Sequence, residues 1–206
     1  MNKDDFKKFI FAYRKMKQKT IPANTAREVF NIWKELSAKG YLRSGFYLGV
    51  CYDHGIGTKK DIKKAFQCYL LAATCGHSES QYNLWHMYHK GIGIEKDIKQ
   101  AIYWLKKAAS KNNIEAIRDL GFCLHEGLGV RKNYKKAVEY YRKAAKQGDA
   151  MAQWNLALCY VHGDGVTVSY RWSEFWFRNA AKQGHINAKA EIKFIESEKK
   201  KKRSSK

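Results

Sequence analysis

The stretch YDHGIGTKKD, beginning at Tyr52, returns as YHKGIGIEKD, LHEGLGVRKN and YVHGDGVTVS. The glycine pairs Gly55/Gly57, Gly91/Gly93, Gly127/Gly129 and Gly163/Gly165 each lie 36 residues after the pair before. A phosphate-binding loop is a single feature that follows one strand and carries a GK[ST] signature. None of these stretches has that signature. A turn repeated at a fixed interval is architecture, and periods of 20 to 50 residues mark solenoids and arrays. All eight glycines are therefore expected to be structural.

Stacking the four units by column reads out one helix pair. Leu48, Leu84, Leu120 and Leu156 align, as do Tyr52, Tyr88, Leu124 and Tyr160; Ser44, Ser80, Ala116 and Ala152 precede them. Small, leucine, aromatic at i, i+4, i+8 is one helix face. This predicts a helix A over about 43–54, 79–90, 115–126 and 151–162, ended by the glycines, which tolerate the left-handed backbone. Asp61, Asp97, Asn133 and Ser169 are good N-caps. They open a helix B over about 61–75, 97–111, 133–147 and 169–183. Ala65, Ala101, Ala137 and Ser173, then the pairs Ala72/Ala73, Ala108/Ala109, Ala144/Ala145 and Ala180/Ala181, let helices approach closely. Gly76, Gly148 and Gly184, with Asn112 once, close helix B. One such pair cannot bury its apolar face alone, so neighbours must stack.

Composition fits a folded helical chain. Of 206 residues, 45% are hydrophobic and only Pro22 is a proline. No apolar run reaches the ~18 residues of a membrane span, and the N-terminus has no apolar signal core, so a cytoplasmic location is expected. Cys51, Cys123 and Cys159 share a column with Met87, a buried soft-apolar position. Cys68 and Cys75 are about 10 Å apart along one helix, too far for a disulfide. The net charge is +21. Residues 1–19 contribute +5 (seven basic, two acidic), and the tail 198–206 another +5 (six basic, one acidic). Such a surface attracts acidic partners, RNA or anionic membranes through counterion release, or simply maintains solubility. No DNA- or RNA-binding motif accompanies it.

The segment 116–148, AIRDLGFCLHEGLGVRKNYKKAVEYYRKAAKQG, resembles the Sel-one-like repeat (SLR) family of the tetratricopeptide repeat superfamily, and three more units match in phase over about 44–190. The resemblance implies an all-α, right-handed α-solenoid with the A helices lining a concave groove. It also implies an adaptor that holds other proteins, although some secreted members have been described as β-lactamase-like or penicillin-binding. The chain departs from the family pattern at Trp85, which takes a position held by Gly49, Gly121 and Ala157. An indole there is expected to push helix A away from its partner or to point into the seam between repeats. The fourth unit carries VTVSYRW where a lysine-rich start is usual, and the cysteine pairs of the secreted branch are absent.

Outside the repeats, residues 4–18 form an amphipathic helix, read as a degenerate helix A capping the stack, with a basic membrane-surface helix as the competing reading. NTAREVFNIWKELSAKG reads as a lone helix B capped at Asn24 or Thr25 and closed by Gly40, and 187–197 as a final helix A. The expected organisation is capping helices over 1–40, four repeats over 41–190, and the end of a capping helix with a basic tail over 191–206.

In this register the A-helix positions not used for packing place Phe46, Tyr82, Arg118 and Trp154 in one column. Tyr47, Asn83, Asp119 and Asn155 form a second; His86 and Phe122 fall in a third with Val50 and Leu158; His89 and His125 lie near the helix exit. Aromatics with arginine are what protein-recognition hot spots use, and an asparagine row can clamp an extended peptide backbone. Phe46, Phe122 and Leu158 can equally pack between adjacent A helices. His89 and His125 raise a metal site, but no H-x-x-x-H spacing occurs and no carboxylate matches, so no metal or cofactor is expected. There is no G-x-S-x-G elbow, and the only S-x-x-K sits in the charged tail, so no catalytic residues are expected. The expectation is therefore a monomeric, non-enzymatic scaffold for a protein or peptide. Basic-surface binding of RNA or anionic membrane is the alternative, and a penicillin-binding hydrolase the third.

Overall fold

A computed structural model describes the backbone of residues 1–204 and the side chains of residues 1–197; the side chains of the basic tail lie outside the described residues. Among the described residues there are eleven helices and no strand. The four A helices are α3 (Leu42–His54), α5 (Ser78–Lys90), α7 (Ile114–Glu126) and α9 (Ala150–His162). The four B helices are α4 (Ile62–Thr74), α6 (Ile98–Ser110), α8 (Tyr134–Lys146) and α10 (Tyr170–Lys182). The chain also carries α1 (Lys3–Met16) and α2 (Ala23–Ala38) ahead of them and α11 (Ala188–Ser204) after them. It divides into two compact units, Met1–Ala108 and Ala109–Lys206.

The caps explain why each helix starts and stops where it does. The side chains of Asp61, Asp97, Asn133 and Ser169 accept from the backbone N–H three residues on, as their position predicts. The first glycine of each pair is a left-handed C-cap whose N–H donates to a carbonyl four residues back, as Gly55 does to Cys51 and Gly127 to Cys123. In three units the second glycine is held for a different reason. A Cβ at Gly57 would run into the Ala26 carbonyl, one at Gly93 into Ile62, and one at Gly165 into the Tyr134 carbonyl. There the G-x-G turn docks its backbone on the first turn of the preceding B helix. It is a packing joint and not a phosphate cradle.

Gly129 shares the left-handed backbone of the other second glycines, with φ at 64°. Its role is to let the chain turn between α7 and α8.

One helix boundary also differs from expectation. Helix α2 starts at Ala23 with Pro22 in the N-cap position, and no side chain caps it. Neither Asn24 nor Thr25 is the cap: both lie inside the first turn. Proline has its φ already set near the helical value and no N–H to leave unsatisfied, so it opens the helix two or three residues early. Helix α1 packs on α2, burying Ala12 and bringing Phe9, Tyr13 and Met16 against Trp33, whose Nε1–H donates to the Met16 sulfur. Asp5 is buried at the same junction and accepts from Lys39 Nζ and the Tyr41 hydroxyl. Phe6 stays exposed.

The cores are columns of the repeat. Leu84 and Leu156 are fully buried, and Cys51, Met87, Cys123 and Cys159 are buried as one column. All five cysteines are free thiols. Burial pushes the Cys51, Cys123 and Cys159 thiols up to about 12, so none is a thiolate nucleophile near neutrality. Trp85 is buried, with only 3% of its surface exposed, and its ring lies parallel to that of His89 at 4.5 Å.

Candidate partner-binding face

The structure distributes the candidate residues between the two units. In the first, Phe46 and Tyr47 follow one another on α3 and their rings meet at 5.1 Å. Tyr47 stacks on Trp33 at 4.7 Å and is edged by Phe9 and Tyr13 of α1. It is committed to packing against the N-terminal helices. Phe46 packs against Tyr69 and, at 4.7 Å, against the His77 ring. On α5, Tyr82 meets His86 edge-on at 4.7 Å, while His89 stacks on Trp85. Asn83 is half-buried and hydrogen-bonds the Tyr69 hydroxyl, which also faces Asp53.

In the second unit, Arg118 is held on two carboxylates. Its Nε donates to Asp119 at 2.7 Å and its Nη1 to Asp149 at 3.1 Å. Asp149 also caps α9, accepting from the Ala152 N–H. One carboxylate thus starts a helix and fixes the arginine that reaches it from α7. Phe122, one turn from Arg118 on the same helix face, is 47% exposed. His125 lies between two carboxylates, Glu126 at 2.7 Å and Asp164 at 3.2 Å, with its ring edge-on to Tyr134. Trp154 stacks on His185 at 5.1 Å and leans on the buried Phe177. Asn155 is half-buried beside it.

The residues missed at the sequence level form one column: His77, Asn113, Asp149 and His185, just ahead of α5, α7, α9 and α11. The side chains of His77, Asn113 and Asp149 accept from the first turns of α5, α7 and α9. His77 and His185 also stack on Phe46 and Trp154, and Asp149 holds Arg118. The signal was available, since asparagine and aspartate immediately before a periodic apolar run are N-cap residues. Among the described residues no group of three or more His, Cys, Asp or Glu side chains is placed to hold a metal, and no helix is long and apolar enough to cross a membrane.

The model of the Sel1 repeat matches residues 46–77, 78–113, 114–149 and 150–185. The chain belongs to the Sel1 repeat family. A search of curated proteins returned no match. Among solved structures, c5321 of uropathogenic Escherichia coli, a protective antigen displaying an SLR fold, is 30% identical with a TM-score of 0.84. That match covers 93% of this chain and 41% of the E. coli protein, so the chain spans less than half of that relative's length. A Sel1 repeat protein of Oxalobacter formigenes is 28% identical with a TM-score of 0.81, covering 93% of this chain and 78% of the other. The immunity protein Pa5087 of Pseudomonas aeruginosa shares the fold at 21% identity and a TM-score of 0.59, over 91% of this chain and 69% of its own. The fold class is thus the all-α solenoid of Sel1 repeats. Sel1 repeats generally build protein–protein interaction scaffolds, and the family is typically non-enzymatic.

Proposed function

We propose that this Sel1 repeat chain is a non-enzymatic scaffold that holds a protein or peptide on the exposed faces of its A helices. The observation that carries this reading is on α7. Phe122 is 47% exposed, one turn from an arginine whose guanidinium is already fixed by Asp119 and Asp149. An exposed aromatic beside an arginine already held in place offers an apolar anchor next to a fixed positive charge, with little ordering cost on binding. Asn155 on α9 supplies an amide that can pair with a partner backbone. In the first unit the half-buried Tyr82, Asn83 and His86 occupy the equivalent stretch of α5.

The test is an affinity capture from host lysate with residues 198–206 removed, in ~0.3 M salt to screen loose charge contacts. The native sequence is run beside Phe122→Ser/Asn155→Ala. A protein retained by the first and lost by the second supports the reading. Retention of the same proteins by a variant with an unchanged circular dichroism spectrum overturns it.

A further inference from the structure

The fourth repeat has an outer face unlike the other three. Trp172 on α10 is 49% exposed, Phe175 48% and Val168 48%. The positions equivalent to Trp172 are Lys64, Gln100 and Lys136; those equivalent to Val168 are Lys60, Lys96 and Lys132; those equivalent to Phe175 are Gln67, Tyr103 and Glu139. Three columns that are mostly polar elsewhere become apolar together in one unit.

The backbone there is ordinary, so the change is a matter of side chains alone. In the first repeat Lys64 places its ammonium over the Tyr52 ring, 5.6 Å from the centroid. In the fourth, Trp172 takes the same place over the equivalent Tyr160, stacked at 6.4 Å and 27°. A cation–π lid has become an aromatic one. Phe175 meets Trp172 edge-on at 5.8 Å, and Arg142 of α8 donates to the Tyr160 hydroxyl at 3.2 Å. Tryptophan, tyrosine and arginine in one layer are the residue types that dominate binding hot spots.

We infer that this ledge is a second docking surface, separate from the A-helix faces, and that its occupant is an acidic segment of a partner protein carrying an aromatic or aliphatic anchor. The charge around the ledge sets the sign. Residues 131–146 and 168–182 carry ten basic and two acidic side chains, and one of the two acids, Glu174, is paired with Arg178. A second copy of a chain with net charge +21 brings like charge to like, which disfavours self-association. A bilayer rewards rings that project beyond the backbone. Here both rings lie against neighbours, Trp172 on Tyr160 and Phe175 on Trp176, so they present ring surface to a stacking side chain.

The test uses the full chain and two probes: a displayed library of random peptides of about 12 residues, and vesicles of equimolar phosphatidylglycerol and phosphatidylcholine. The variant is Trp172→Lys/Phe175→Gln, which installs the residues of the first repeat; each single change is run beside it. The expected result is selection of net-acidic peptides with an apolar anchor. Their affinity falls about tenfold or more in the double variant and stays unchanged in Phe122→Ser. Unaltered peptide binding by the folded double variant, selected peptides without an acidic excess, or no selected peptides at all overturns the inference. So does vesicle binding that depends on Trp172 in place of peptide binding. Loss in Phe122→Ser alone leaves the A-helix reading standing and removes this one.

Discussion

In the third repeat Gly121 of α7 lies against Tyr141 of α8, and in the first Gly49 of α3 lies against Tyr69 of α4. In the second repeat the same two columns hold Trp85 and Leu105. A Cβ built on Gly121 comes 2.9 Å from the Tyr141 ring, and one on Gly49 comes 2.6 Å from the Tyr69 ring, so neither site has room even for alanine. Trp85 is buried in that column, where the position equivalent to the tyrosines is the smaller Leu105, itself fully buried. The fourth repeat takes a middle course with Ala157 and Phe177, both fully buried. The two columns trade bulk across the A–B joint, which is how cores accept large substitutions while keeping total volume and pattern.

Moving the second repeat's tryptophan into the third breaks this exchange. Gly121→Trp alone meets the Tyr141 ring and is expected to destabilise the chain by about 4 kcal/mol or more, in the range reserved for severe overpacking. Gly121→Trp/Tyr141→Leu imports both halves of the pair and is expected to restore at least about half of that loss. Urea unfolding of the two variants beside the native sequence measures both numbers. A double variant no more stable than the single one would show that the pairing of columns is not what accommodates Trp85.

A second comparison separates two glycines of like backbone and unlike surroundings. Gly57 and Gly76 both have positive φ, 70° and 91°. A Cβ at Gly57 collides with the backbone at Ala26, whereas one at Gly76 meets nothing within 4 Å. Gly57→Ala is therefore expected to cost about 3 kcal/mol, combining conformational strain with a backbone clash. Gly76→Ala carries only the left-handed penalty of about 1 kcal/mol. The difference between their thermal midpoints isolates the docking of the turn on α2. Equal shifts would reduce the G-x-G to a simple helix stop.

What was legible in the sequence was what is local and repeated. The helix caps at Asp61 and Asn133 and the stops at Gly55 and Asn112 act within a few residues, and a 36-residue period shows each of them several times. Even Trp85 was readable in principle, since its compensation sits in the matching column at Leu105. Less legible was whatever depends on elements outside the period. Tyr47 stacks on Trp33 and α1, which have no counterpart in the repeats. Pro22 opens α2 because the capping helix follows a different start rule from its relatives. The A-helix candidates share columns, but a column does not say which ring a neighbouring loop will cover. His77 over Phe46 and His185 over Trp154 come from the residues between helices.

That interhelical column supplies the smallest of the expected effects. Asn113 and Asp149 cap α7 and α9 with oxygens, whereas His77 caps α5 with a ring nitrogen that accepts from the Ser80 N–H at 3.2 Å. The cap requires an unprotonated Nδ1, and a protonated ring would set positive charge against the positive end of the helix. Burial lowers the His77 pKa from its usual 6.5, opposed in part by the Glu79 carboxylate. The unfolded chain then binds this proton more readily than the folded one. The stabilisation is fully present above the unfolded value of about 6.5 and is lost as pH falls from there through the lowered folded pKa. Asparagine does the same capping without titrating, so His77→Asn is expected to flatten the stability profile between about pH 5 and 7. Thermal melts of the two proteins across that window compare the slopes. If native and variant lose stability in parallel, the acid sensitivity lies elsewhere and His77 is a cap indifferent to its charge.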